Sequence, residues 1–357
     1  MSPRGLRIAH LDTGRSWRGG QQQVLLLLEG LRDRGIECLL LAPRGPLLER
    51  AEAARVPVET WNARGELDLA AIWSARRLLR RFGPDLVHLH SAHAHALGVP
   101  AARGAGRAPI VVSRRVDFAV GANTFSRLKY RMPVARYFCI SRGVMEVMRQ
   151  GGVPAERLAL VPSGVRFATA AETERAPSLR EEFGIGRDEP IVGTVAALAP
   201  HKNHADLMRA VPDVLARRPD AHFVWMGEGE CRTSLEAQRR ALGLEHRVHL
   251  AGFRECARDY VPQFRVFVMP SYLEGLCTSI MDAQSLGVPV VATETGGIPD
   301  LVTSGETGWL VPPRDPGSLA HGLLAALADP AEAGRRAAAA RVAVQAFSAD
   351  RMVERNL

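Results

Sequence analysis

Apolar runs of strand length alternate with amphipathic stretches of helix length along this chain. In the first half the short runs are Leu6 to Leu11, ECLLLAP from Glu37, LVHLH from Leu86, PIVVS from Pro109, YFCIS from Tyr137 and LALVPSGV from Leu158. Between them lie VLLLLEGLRDRG, ending at Gly35, helical stretches near 46–55 and 68–81, and RGVMEVMRQGG from Arg142. The pattern resumes after residue 190 with IVGTV, HFVWM, VHL, RVFVMP, VPVVAT and TGWLVPP. Strands alternating with helices predict doubly wound α/β architecture with parallel sheets. The stretch FATAAETERAPSLREEFG from Phe167 is polar and carries no strand pattern. It reads as a linker and hinge followed by a helix. A chain of 357 residues suits two domains of about 150 to 180 residues each. The expected division is 1–167, 168–335 and a C-terminal segment 336–357, a long Ala/Arg helix and then FSADRMVERNL with Ser348 as an N-cap.

Composition narrows the class. Hydrophobic residues make up 46%, enough for two cores. No uninterrupted apolar run approaches the roughly 18 residues of a membrane span, and MSPRGLRIAHLD enters a strand without a signal-peptide pattern. A cytoplasmic location is the expectation. Cys38, Cys139, Cys231, Cys256 and Cys277 are scattered and form no CxxC pair, so reduced thiols are expected rather than disulfides or a zinc site. His88, His90, His93 and His95 invite a metal reading. No nearby carboxylate or cysteine completes that ligand set, and no metal is expected.

The net charge of +8 suits an anionic partner. Between Ser113 and Arg142 lie Arg114, Arg115, Arg127, Lys129, Arg131, Arg136 and Arg142 against one acid, Asp117, with Phe118, Phe125, Tyr130 and Tyr137 interleaved. An anionic membrane surface and a solvated basic face that holds a charged acceptor are the two readings of this segment. Nucleic acid is not expected as a partner, because no nucleic-acid module accompanies the charge.

The chemistry concentrates between Pro270 and Asp300, PSYLEGLCTSIMDAQSLGVPVVATETGGIPD. A buried strand, a polar turn, a helix near 280–285 and a second apolar strand form a βαβ unit, with Gly287 and Pro289 marking the helix end. The backbone N–H groups of Gly275, Leu276, Cys277 and Thr278 fall at the helix N-terminus, which favours a phosphate. Glu274 stands at the mouth of the turn and Asp282 comes from the helix, so two carboxylates flank one anion cradle. A second Gly-rich turn, Thr295 to Asp300, follows the next strand on the same sheet edge, where ligands of open α/β sheets bind. Near the N-terminus a strand, a loop with Gly14, Gly19 and Gly20, and a helix repeat the arrangement. Their spacing fits the dinucleotide G-x-G-x-x-G pattern poorly, which disfavours a nicotinamide enzyme.

The pattern E-G-x-x-x-x-x-x-D, then A-x-x-x-G-V-P-V-V-A and G-G-I-P-D, resembles the donor site of retaining glycosyltransferases of the GT-B fold, and of glycosyltransferase family 4 in particular. The resemblance implies two Rossmann-like domains facing a cleft, acceptor side first and nucleotide-sugar side second, with the C-terminal helix returning to the first. It implies Glu274 on the donor sugar, Asp282 on the ribose and Lys202, in P-H-K-N, on the diphosphate. An ordinary surface lysine is the plain alternative for Lys202. Gly19, Gly20 and Gly227 match backbone approaches to the donor, and His90 falls on the acceptor side, where a merely packed or solvated histidine is the alternative reading.

Three departures stand out. Asp282 is one methylene shorter than the usual glutamate, Arg114 and Arg115 occupy a segment that often carries a histidine, and Ala196 and Ala197 replace a Gly-Arg pair. A diphosphate leaving group needs cations. Arg254 is the expected substitute, with Arg15 and Arg18 behind it. The implied activity is transfer of a sugar from a nucleotide diphosphate sugar to an acceptor hydroxyl with retained configuration. It needs no cofactor and serves a bacterial envelope glycan such as lipopolysaccharide, capsule or glycolipid. A nucleotide-sugar epimerase, a noncatalytic sugar-binding protein and a peripheral membrane module are the alternatives.

Overall fold

A computed structural model describes residues 5–118, 120, 124–167 and 176–357, with the backbone alone at 124–127. The chain divides into two units, residues 1–164 with 349–357, and residues 165–348. The polar stretch expected as a hinge falls partly outside the described residues. Its described end contains the short helix Leu179–Phe183, started by Ser178, whose side chain accepts from the Glu181 N–H.

The first unit holds a seven-stranded sheet in the order β3-β2-β1-β4-β5-β6-β7. Its strands are β1 Arg7–Leu11, β2 Glu37–Ala42, β3 Val58–Thr60, β4 Leu86–Leu89, β5 Ile110–Arg114, β6 Arg136–Cys139 and β7 Leu158–Leu160. The second unit holds six strands in the order β10-β9-β8-β11-β12-β13. These are β8 Ile191–Val195, β9 His222–Met226, β10 Val248–Gly252, β11 Val266–Met269, β12 Val290–Thr293 and β13 Trp309–Val311. Every recorded pairing between these strands is parallel. Helices on both faces explain the continuous apolar runs, because strands covered on two sides have no solvent-facing positions to leave polar.

Strand order places the ligand-binding edges. In each sheet the order reverses beside its first strand, between β1 and β4 and again between β8 and β11. Connections there leave in opposite directions and open a crevice at the carboxyl ends of the strands. The carboxyl ends of β1 and β4 carry Asp12 and His90; those of β8 and β11 lead to Lys202 and Glu274.

The C-terminal segment differs in extent from its sequence reading. Pro330–Ala343 is a helix of the second unit, and the helix that rejoins the first is Ala349–Asn356. Met352 and Val353 of that helix enter the core formed by Val24, Leu27, Leu28 and Leu31 of helix Gly19–Asp33. The second core centres on Phe223, Trp225, Leu207, Val211 and Leu323. All five cysteines are free thiols. Among the described residues no helix is long and apolar enough to cross a membrane.

Candidate functional site

The second unit's switch point is assembled from three connecting segments. After β8 the chain makes a 3-10 turn, Pro200–Lys202, and Asn203 adopts a left-handed conformation before helix His204–Leu215. After β11 it enters the turn to helix Thr278–Ser285. The Tyr272 N–H donates to the His201 carbonyl at 3.0 Å and joins the two turns. The turn after β12 joins them through the Gly297 N–H on the Glu274 carbonyl, 2.9 Å, and the Thr295 hydroxyl on the Tyr272 carbonyl, 3.0 Å. These bonds bring residues 72 positions apart together, and the Lys202 ammonium donates to the Glu274 carboxylate. Both side chains are mostly withdrawn from solvent, at 16% and 12% exposure, which strengthens their attraction over that of a surface pair.

Helix Thr278–Ser285 carries no side-chain cap, and Cys277 occupies its N-cap position. Its first-turn donors therefore lack a side-chain oxygen acceptor, and the positive end of the helix lies in the chain just past Glu274. The Cys277 sulfur is 3.3 Å from the Ser279 hydroxyl. Burial, with Glu274 adding to it, pushes the Cys277 thiol up to about 11, so it is a neutral thiol at pH 7.

Asp282 lies one turn into the helix and is 17% exposed. Burial raises its carboxyl to about 6, although Arg258 pulls the other way. Arg258 Nε lies 3.1 Å from Asp282 Oδ1, and Arg258 Nη2 donates to the Ser285 hydroxyl at 3.3 Å. That hydroxyl donates in turn to the Asp282 carbonyl, 2.7 Å. Sequence reading missed Arg258; its only signal was an arginine four residues beyond Arg254 of the AGFRE turn. Arg254, expected as the second cation, instead donates to Glu182 and lies over the Tyr260 ring, 5.7 Å from the centroid.

Gly227 has a packing role that the sequence left open. Its φ is +148°, and a Cβ there would stand 1.9 Å from the Ala196 carbonyl oxygen. The Gly227 N–H also donates to the Gly252 carbonyl, 2.8 Å. The glycine lets the end of β9 lie directly on the segment where Ala196 and Ala197 stand.

In the first unit Gly19 and Gly20 are the first two residues of helix Gly19–Asp33 rather than a loop before it, and Arg18 at the N-cap makes no side-chain cap. First-turn N–H groups have no intrahelical partner, so glycine costs little there. Asp12 accepts from the Gly14 N–H at 2.6 Å and from Gln21 Nε2 at 3.2 Å, which fixes the connection.

His10, His88 and His90 project from β1 and from the end of β4 and are fully or nearly fully buried. His10 Nδ1 is 3.0 Å from His90 Nε2, Arg115 Nη2 is 3.3 Å from His90 Nδ1, and His88 Nε2 is 2.8 Å from the Ser113 hydroxyl. An arginine can only donate, so His90 Nδ1 accepts, His90 Nε2 carries the proton toward His10, and His10 keeps its own proton on Nε2. That nitrogen is buried without a hydrogen-bond partner. Burial holds all three imidazoles neutral, His10 down to about 3. Arg115 itself is lowered to about 10 by burial, with Asp12 opposing, and remains a cation at pH 7.

Ligand nitrogens of these three histidines lie within 4.8 Å of one another, the single set among the described residues with metal-ligand spacing. It differs from the set considered in the sequence: His93 is exposed and approaches Glu66, while His95 packs edge-on against Tyr130 and Tyr137. Here His90 is engaged by His10 and by the cation Arg115, and His88 by the Ser113 hydroxyl. Arg114 donates to the Phe118 carbonyl, 2.6 Å, and stacks over Tyr130.

The arrangement matches known proteins over both halves. The family model Glycosyltransferase Family 4 matches residues 17–168, and Glycosyl transferases group 1 matches residues 189–329. A GDP-mannose-dependent alpha-(1-6)-phosphatidylinositol monomannoside mannosyltransferase of Mycolicibacterium smegmatis is 30% identical over 93% of this chain and 91% of its own length. A UDP-Gal:alpha-D-GlcNAc-diphosphoundecaprenol alpha-1,3-galactosyltransferase of Escherichia coli is 27% identical over 89% and 87%. The crystal structure of Anabaena Alr3699/HepE in complex with UDP superposes with a TM-score of 0.84, covering 98% of both chains at 21% identity. Two parallel-sheet units, two matching models and relatives along almost the whole chain give one conclusion: this protein is a GT-B glycosyltransferase and belongs to glycosyltransferase family 4.

Proposed function

We propose that this enzyme transfers a sugar from a nucleotide diphosphate sugar to an acceptor hydroxyl with retention of anomeric configuration and without a metal ion, in bacterial cell-envelope glycan synthesis. The observation that carries the reading is the Lys202–Glu274 pair at the second sheet's switch point, next to an uncapped helix N-terminus. Glu274 accepts from donor-sugar hydroxyls. Lys202 and the N–H groups from Gly275 to Thr278 neutralise the charge that grows on the departing nucleoside diphosphate. Asp282, as a carboxylate, accepts from the ribose hydroxyls.

Binding of the diphosphate separates Lys202 from its resting partner, so the ammonium changes from countering Glu274 to countering the leaving group. The first-turn N–H groups of Gly19 and Gly20 approach the donor, and His90 and the cations Arg114 and Arg115 are the acceptor-side groups. His90, with both ring nitrogens engaged, holds Arg115 in place. The two relatives named above act on acceptors attached to lipid diphosphate and phosphatidylinositol, which supports a lipid-linked acceptor and work at the inner face of the cytoplasmic membrane. No group in the site requires a cofactor for this chemistry.

The test is product NMR after transfer in the presence of a metal chelator. Retention gives a product whose anomeric configuration equals the donor's. An inverted product, or activity restored only by divalent ions, overturns the reading.

A further inference from the structure

The second unit has a cavity of about 470 Å³ whose charged lining is Arg180, Arg187, Arg218 and Arg265 against one acid, Asp188. These residues come from separate stretches of chain. Arg180 belongs to helix Leu179–Phe183, Arg187 and Asp188 to the turn before β8, Arg218 to the turn between helix His204–Leu215 and β9, and Arg265 immediately precedes β11. The cavity therefore opens at the amino ends of these parallel strands, whereas Lys202 and Glu274 follow the carboxyl ends of β8 and β11. At about 3.3 Å per residue, the length of β8 puts roughly 16 Å of sheet between the two edges.

The frame of the cavity is fixed by hydrogen bonds. Gln263 accepts from the Leu179 N–H at 2.8 Å and donates to the Pro177 carbonyl at 2.9 Å, which ties the short helix to the segment leading into Arg265. The Arg265 N–H donates to the Ile191 carbonyl, 2.8 Å. Arg180 Nη1 donates to the Glu189 carbonyl at 2.8 Å and to the Gly186 carbonyl, and so holds both ends of the turn that carries Arg187. The charges are less well matched than the backbone. Arg218 is neutralised by Asp220, through bonds of 3.0 and 2.9 Å, and also donates to the Leu327 carbonyl at 3.1 Å. The bonds of Arg180 go to neutral carbonyls. Among the described residues no ion pair or side-chain hydrogen bond engages the guanidinium groups of Arg187 and Arg265, and both side chains are exposed. With Arg218 set aside, three guanidinium charges face the one carboxylate of Asp188.

We propose that this cavity binds a small molecule carrying a di- or triphosphate group, with Arg187 and Arg265 each gripping phosphate oxygens and Arg180 adding to the positive field. A guanidinium fork matches phosphate oxygens two at a time, which a point charge does not. The volume falls in the range of small-molecule sites, about 300–1,000 Å³. Cations drawn from separate stretches around a concavity suit a compact anion with several charges rather than one phosphate. The site is distinct from the donor cradle and does not depend on the donor chemistry.

Calorimetric titration of the full chain with inorganic triphosphate tests it. The donor cradle also attracts phosphates, so Arg187→Ser combined with Arg265→Ser is compared with its parent twice, in wild type and in Lys202→Ala. In both backgrounds the arginine pair should lower the affinity for one bound equivalent at least about tenfold, and the wild-type Tm without ligand should be kept. Wild type that binds no triphosphate overturns the proposal. So does binding that the arginine substitutions leave undiminished, or binding that Lys202→Ala abolishes on its own, which would put the anion in the donor cradle. If the double variant misfolds, Arg187→Ser and Arg265→Ser singly decide by the same criteria.

Discussion

Asp282→Asn should make the protein more stable and a poorer binder of its donor, and both effects follow from one buried charge. The fold raises this carboxyl from 3.8 to about 6. The native state therefore holds the proton more tightly than the unfolded chain does, and between about pH 4 and pH 6 folding takes up protons. Stability attributable to this group falls as pH rises through that window, because the unfolded state binds fewer protons there than the native state. Above pH 6 the full cost applies: a shift of about two pH units at 1.36 kcal/mol each is about 3 kcal/mol. Asparagine stands in for the protonated form and keeps an oxygen beside Arg258. The variant should gain up to about 3 kcal/mol at pH 8 and almost nothing near pH 4. In exchange it loses charge-assisted hydrogen bonds to the ribose, worth about 1.5–3 kcal/mol, which is tenfold or more in donor affinity.

Calorimetry from pH 4 to pH 8 measures the first effect, with the second unit's transition identified by its shift on adding nucleotide. Titration of wild type and variant with nucleoside diphosphate measures the second. A variant less stable than wild type at pH 8, or a stability difference that does not grow with pH, would refute the reasoning about Asp282.

Lys202→Ala should lower kcat by two to three orders of magnitude, about 3–4 kcal/mol of lost transition-state stabilisation, and near-normal turnover in a purified assay would remove it from the site. Glu274→Gln should cut turnover comparably while leaving nucleoside diphosphate binding largely intact, which binding of UDP or GDP without the sugar can check. Gly227→Ala should destabilise the second unit by about 2–4 kcal/mol, because its methyl group would meet the Ala196 carbonyl; unchanged denaturation would mean that β9 can retreat. His10→Gln should flatten the acid side of the first unit's stability profile. With His10 held down to about 3, the unfolded chain takes up protons as pH falls below 6.5, which costs the wild type about 2 kcal/mol by pH 5.

Architecture was legible in the sequence because its signal is redundant. Most strands carry a short apolar run, as in FVWM before Gly227 and VFVMP before Ser271, and the alternation with helices repeats through both halves. The Glu274 turn was legible for a related reason: strand, polar turn and helix fix where backbone N–H groups go whatever the side chains are. What the sequence could not place were contacts made in space. Arg254 and Arg258 stand on neighbouring turns of chain and look interchangeable, yet one meets Glu182 and the other Asp282. His10 joins His88 and His90 because β1 and β4 are neighbours in the sheet, whereas the nearer histidines in sequence, His93 and His95, leave on the helix Ala92–Ala105.

The central claim, that the second unit's switch point holds a nucleotide diphosphate sugar through Lys202 and Glu274, is tested most directly by thermal unfolding against a panel of UDP-, GDP-, ADP- and CMP-sugars. The account predicts that one diphosphate sugar raises the second unit's transition in wild type and that Lys202→Ala loses most of that shift. A flat profile across the whole panel, or an undiminished shift in Lys202→Ala, would contradict it.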